Sequence, residues 1–210
     1  MTKKAKDNKT GKDKSANNKT FSFFKDEKFK ISLGVFLFVF SFILCLSFIS
    51  YLFTWHYDQN ILDLKIFNIL SSDPSIEVKN WIGKIGAVIS HFFIHELFGL
   101  ASFSFIFLSF FFGLYLFDVK LAKPGKTLFL SILFTIWFSL FLASVFYKKY
   151  FYLGGAHGYY LFDWLKLVIG LAGAYIFIFF SGFIIFVYSF KNSLNFIKSI
   201  FKRKQIKDIP

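Results

Sequence analysis

Three short stretches of this chain carry residue types that could do chemistry. Pro124-Gly125-Lys126-Thr127 contains Gly-Lys-Thr, the tail of a phosphate-binding loop. Such a loop needs a glycine five residues before its second glycine, and must join a strand to a helix so that backbone N–H groups converge on phosphate. Position 120 is Lys and both flanks are apolar runs of membrane length, so the stretch reads as a basic turn. His91 and His95 stand four residues apart with Glu96 beside them. Two His on one helix face is a metal-site spacing. The zinc-protease order His-Glu-x-x-His is absent and no third ligand is evident, so the pair reads as the wet face of an interfacial helix. Gly154-Gly155-Ala156-His157-Gly158 is a glycine cluster of the kind that can cradle an anion, or simply turn the chain; it reads as a tight loop with a solvated His157.

These stretches must be positioned by elements, and composition says which. Hydrophobic residues make up 56% of the chain and 36 of its 210 residues are Phe. No soluble core absorbs that many Phe side chains, whereas a bilayer solvates the outside of every helix. Four apolar runs reach bilayer length, at about 31–55, 97–117, 128–147 and 167–190, and none holds a charged residue. Each has roughly the twenty residues that cross ~30 Å of hydrocarbon as a helix. Tyr51, Trp55, Tyr115 and Tyr188 sit near their ends, where aromatic residues suit the interface. The fold class is therefore an all-α membrane protein with four transmembrane helices.

Orientation follows from the cations. Residues 1–30, 118–127 and 191–210 together hold nineteen Lys and Arg, against six in 56–96 and 148–166. The richer side is cytoplasmic by the positive-inside rule, which puts both termini there. Residues 1–24 are a basic tail too polar to fold, and they are no secretory signal, because the apolar run that follows is too long. Residues 25–195 form the four-helix domain, and 196–210 a second basic tail or the start of a linker. Pro124-Gly125 is a turn signal for a tight inner hairpin. On the outer side, 81–96 is amphipathic, with Ile85, Ile89 and Phe92 on one face and Lys84, His91 and His95 on another. It is expected as an outer interfacial helix before span two, or as a polar extension of that span.

Gly83, Gly86, Gly99, Gly170 and Gly173 are small enough to let helices approach closely, inside the monomer or between subunits. Trp81–Ala87 also echoes Val168–Ala174, a similarity that Gly-rich composition gives readily by chance and that an old duplication of a two-helix unit would also give. At the C-terminus, Lys198, Lys202, Arg203, Lys204 and Lys207 are expected to bind anionic headgroups. Cys45 lies inside an apolar run and behaves as a small hydrophobe. No catalytic residue, cofactor or resident metal is called for. The spans lack the ionisable pair that ion-coupled transport needs, and nothing arranges Ser/His or Asp/Asp for proteolysis.

In order along the chain stand a basic tail, Ser50-Tyr51-Leu52-Phe53-Thr54-Trp55, Asp73-Pro74-Ser75 and Asn80-Trp81-Ile82-Gly83-Lys84-Ile85-Gly86-Ala87. Phe98-Gly99-Leu100-Ala101, Gly154-Gly155 and Gly170-Leu171-Ala172-Gly173-Ala174 follow. Over roughly residues 25–195 this order resembles the N-terminal four-helix membrane domain of bacterial FtsK/SpoIIIE DNA translocases. The resemblance implies an anchor at the division septum in the cytoplasmic membrane, acting in cell division and chromosome segregation. Its expected partners are the lipid bilayer, further copies of itself and division-site membrane proteins. DNA would be reached only through a motor domain, and these residues hold no Walker A loop and no DNA-reading module, so no enzyme activity is expected of them. Two other readings stand beside the anchor. A small transporter or channel subunit would line its path with Ser41, Ser47, Ser104, Ser109, Thr135, Ser139 and Ser181, hydroxyls that more often bond back to their own helix. A stand-alone oligomerisation platform would need no lining at all.

Overall fold

A computed structural model describes residues 26–62, 77–119, 121–146 and 150–189. The basic tails, the segment 63–76 with Asp73-Pro74-Ser75, and Lys198, Lys202, Arg203, Lys204 and Lys207 lie outside the described residues. Among the described residues the regular structure is all helical. α1 spans Glu27–Leu62, α2 Gly83–His91, α3 Phe103–Leu116, α4 Pro124–Val145 and α5 Phe151–Ser189. Between α2 and α3 run a π-helical turn, Phe92–Phe98, and a 3-10 turn, Gly99–Ser102. Four stretches are long and apolar enough to cross a membrane, at Glu27–Asp58, Gly83–Leu116, Pro124–Val145 and Phe151–Ser189. At 36 residues α1 is about 54 Å long, well beyond a ~30 Å hydrocarbon core, so its ends project.

The bundle has two ends. At the basal end Glu27, Lys30 and Ile31 of α1 face Leu116, Phe117 and Asp118. At the apical end Trp55 of α1 packs on Tyr152 of α5, ring centroids 5.1 Å apart. The chain pairs α1 with α3, and α4 with α5. Within the first pair Gly34 and Gly113 meet backbone to backbone: a Cβ on Gly113 would lie 3.1 Å from the Phe38 nitrogen. Ser109 Oγ donates to the Leu37 carbonyl at 2.9 Å across the same seam. Leu44, Phe48, Tyr51, Ala87 and Ile94 form the core of this half. The second half has its own core of Leu140, Ala143, Phe162, Leu165, Ala174 and Ile178. Here an indole separates the helices: Trp137 Nε1 donates to the Ile178 carbonyl at 3.0 Å. At mid-depth the halves are joined by the hydroxyls of Ser104 on α3 and Thr135 on α4, which hydrogen-bond to each other.

Four details differ from the sequence expectations. The basal turn is made by Asp118, at φ +61°, while Pro124-Gly125 opens α4. Proline suits a first helical position because no partner awaits its missing N–H. The segment after span three is no glycine loop: it is helical from Phe151, broken only where Gly155 takes φ +68° and ψ 174°. The fourth membrane helix begins after a second break, Gly170 at φ +74° and ψ 168°, so Leu167–Ile169 end the preceding helical piece. Finally, the apolar face of the 81–96 segment is split, with Ile89 packed against the core of the first half. Ile85 and Phe92 are exposed, while Gly86, Ala87, Ser90 and Ile94 face the bundle.

Candidate functional site: the apical junction

The apical end is where the chain departs most from straight spans, and it gathers most of the residues singled out above. Asn80 anchors it. Its Nδ2 donates to the Ser47 carbonyl of α1 at 3.1 Å and reaches Ser90 Oγ at 3.4 Å. Its Oδ1 accepts from Ile82 N–H at 3.0 Å, and its carbonyl accepts from Gly83 N–H at 2.8 Å. The start of α2 is thus tied to mid-α1 by one side chain. Gly86 must be small for this to work, because a Cβ there would sit 2.6 Å from Asn80 Oδ1 and 2.9 Å from Ser47 Oγ. Two further bonds hold the incoming backbone: Lys79 N–H donates to Asp58 Oδ1 at 2.7 Å, and Trp81 N–H to Ser50 Oγ at 2.9 Å. An unsatisfied buried amide costs about 1–3 kcal/mol, so these acceptors fix where the chain enters.

Gly99 carries the tightest approach. At φ +63° it takes a conformation that disfavours a side chain, and a Cβ would overlap the backbone of Leu153 and Gly154. Gly155 answers from the other half: its Cβ would overlap the Gly99 nitrogen and the Leu97 carbonyl. Two glycines with left-handed backbones therefore touch directly, and the halves close on each other at that point. Phe98 packs on His157, ring centroids 4.9 Å apart, beside the contact. Gly158 lies against Ser139 of α4, and Ser139 Oγ donates to the Gly154 carbonyl at 2.7 Å. Gly83 and Gly170 share the positive φ but stand in open space, and a Cβ on Gly173 would meet only Ile169, across the break at Gly170.

The junction is built twice. α1 leads to Gly83, a helical stretch, Gly99 and α3. α4 leads to Gly155, a helical stretch, Gly170 and the last helix of α5. All four glycines have positive φ. Gly86 lies three residues after Gly83 and packs on Ser47 of the preceding span. Gly158 lies three after Gly155 and packs on Ser139 of the preceding span. Gly99 stands sixteen positions after Gly83, and Gly170 fifteen positions after Gly155. The π-helical turn Phe92–Phe98 takes up the extra residue, since inserting one residue into an α-helix produces such a turn. The echo between Trp81–Ala87 and Val168–Ala174 therefore pairs unlike places. The structural counterpart of Gly170-Leu171-Ala172 is Gly99-Leu100-Ala101.

The extra residue also gathers His91, His95 and Glu96. Their donor atoms lie within 4.8 Å of one another, with His91 Nε2 and His95 Nδ1 at 3.5 and 3.4 Å from Glu96 Oε1. Tyr51 OH shares a hydrogen bond with His91 Nδ1 at 3.3 Å, which leaves Nε2 turned to the carboxylate. Three donors can take a divalent cation only with water completing its shell. All three come from one turn, and Glu96 is more than half exposed. In the other half the same stretch carries an ion pair, Lys166 to Asp163 at 2.6 Å.

Asn80, Asp58 and the Ser47/Gly86 and Ser139/Gly158 contacts carry the junction, yet their types give them no catalytic signature. Asn80 three residues before a helix was the available signal, since Asn favours such turns. The fold and junction define a class: a multi-pass helical membrane protein made of two hairpins, each with a broken apical helix. Over residues 27–201 the chain matches the family described as the 4TM region of DNA translocase FtsK/SpoIIIE, and it belongs to that family. No curated protein and no solved structure gives a significant match.

Proposed function

We propose that this chain is the membrane anchor of a DNA translocase that serves cell division and chromosome segregation, held at the septum in the bacterial cytoplasmic membrane. The observation that carries the reading is the family match, which spans the four-helix region from 27 to 201. The distribution of Lys and Arg supports it, with both termini on the cytoplasmic face where a motor would hang. ATP hydrolysis and DNA contact belong to that motor, and these helices supply attachment and contact with other division proteins. A fluorescent fusion of this chain, followed through the cell cycle, tests the proposal. Accumulation at the closing septum is expected, and an even distribution over the membrane at all stages would overturn it.

The basic C-terminal stretch fits the same role. Lys198, Lys202, Arg203, Lys204 and Lys207 should each add ~1 kcal/mol of attraction to anionic headgroups. Replacing all five with Gln should weaken flotation of a 190–210 peptide with phosphatidylserine vesicles, and unchanged flotation would remove the lipid role.

A further inference from the structure

We infer that copies of this chain join head to tail, through the face around Gly170 of one copy and the face around Gly83 of the next. The basis is the duplication, and it stands apart from the septal reading. Inside one chain the two halves meet because the second glycine of the first half, Gly99, packs on the first glycine of the second half, Gly155. Each half therefore owns two complementary faces. The first half uses its second face and leaves the first, at Gly83, empty. The second half uses its first face and leaves the second, at Gly170, empty. A Cβ built on either glycine meets nothing within 4 Å.

The unused faces look like the used ones with the neighbour removed. Leu97, Phe98, Gly99, Leu100 and Ala101 are buried or half-buried. Their counterparts Val168, Ile169, Gly170, Leu171 and Ala172 are all exposed, Val168 to 58% and Leu171 to 56%. On the receiving side Gly154 and Gly155 are buried and Leu153 is half-buried, while their counterparts Ile82 and Gly83 are half-buried and Trp81 is 61% exposed. The spans agree. The stretch Gly83–Leu116 and the inner helix α4 are 39% and 33% buried over their most apolar windows, and the edge spans in α1 and α5 are 28% and 17%. A second copy supplies both missing surfaces at once, already shaped by the internal junction. The contact is heterologous, so it propagates from copy to copy and ends only when a ring closes.

Cysteine crosslinking in native membranes tests this. In a Cys45→Ser background, Ile85→Cys and Ile169→Cys are the counterparts of His157 and Phe98, whose rings lie 4.9 Å apart within the chain. Oxidation conditions are set on the internal pair Phe98→Cys with His157→Cys. Neither single variant should crosslink to itself. Co-expressed, the two should give a dimer band, and the double variant should give a ladder ending at one largest species. A dimer from Ile169→Cys alone would mean a two-fold contact and would overturn the proposal. So would no crosslink in the double variant, which would mean that lipid covers both faces.

Discussion

The two halves share one plan at the apical glycines and differ in how their long spans meet. Apically, each preceding span presents a buried serine, Ser47 or Ser139, to a glycine three residues into a short helix. Along the spans, α1 and α3 close on Gly34 and Gly113 near the basal end, whereas α4 and α5 are held apart by Trp137, on the apical side of mid-depth. That indole opens a groove lined by Trp137, Phe141, Tyr175 and Gly182. Between helices in lipid there is little hydrophobic drive, so close backbone approach and hydrogen bonds decide where they grip. The duplicated plan is kept where the halves touch each other, and relaxed where each touches lipid.

The comparison can be broken most forcefully at its centre. Gly99→Ala and Gly155→Ala combine a disfavoured backbone with direct overlap, so each should cost about 3 kcal/mol or more. Thermal unfolding in detergent should show a large drop or no folded protein. Next, Asn80→Leu leaves Ile82 N–H and the Ser47 carbonyl without their partner and should cost roughly 2 kcal/mol. Gly83→Ala and Gly170→Ala carry only the backbone penalty, about 1–2 kcal/mol each in the monomer. If these two prove as damaging as Gly99→Ala, the edge and central glycines are not distinguished by contact. Ser139→Ala removes one bond to Gly154 and should cost ~0.6 kcal/mol, near the average for such bonds in membranes. Smallest of all, deleting Phe92 gives the first half the fifteen-residue spacing of the second. The π turn should become α, with the melting temperature within about 3 °C of the parent. Loss of folding would show that the extra residue is required rather than accommodated.

Much of this was readable in the residues. The four spans followed from uncharged runs of Phe, Leu and Ile, because transfer into lipid dominates every weaker preference there. The breaks at Gly99, Gly155 and Gly170 were not. A glycine at positive φ inside a helical run looks the same in sequence as one that merely packs, and only the neighbour's backbone tells them apart. Gly154-Gly155 read as a loop for that reason. The amphipathic 81–96 segment was legible, but not that its apolar face would be shared, with Ile89 on the core and Ile85 and Phe92 exposed: amphipathicity gives two faces without saying which neighbour each will meet. Pro124 as a helix start rather than a turn turned on Asp118 bending the chain first, a choice its residue type permits but does not announce.

The break at Gly170 has a mechanical consequence. Tension applied at Ser189 runs along the last helix through its ladder of backbone hydrogen bonds. At Gly170 that ladder ends, so the load is not carried axially into the preceding helix. It arrives as a sideways torque on a lever whose far end, Gly155, is clamped against Gly99. Pulling on the tail would therefore stress the seam between the halves before it stretched any span.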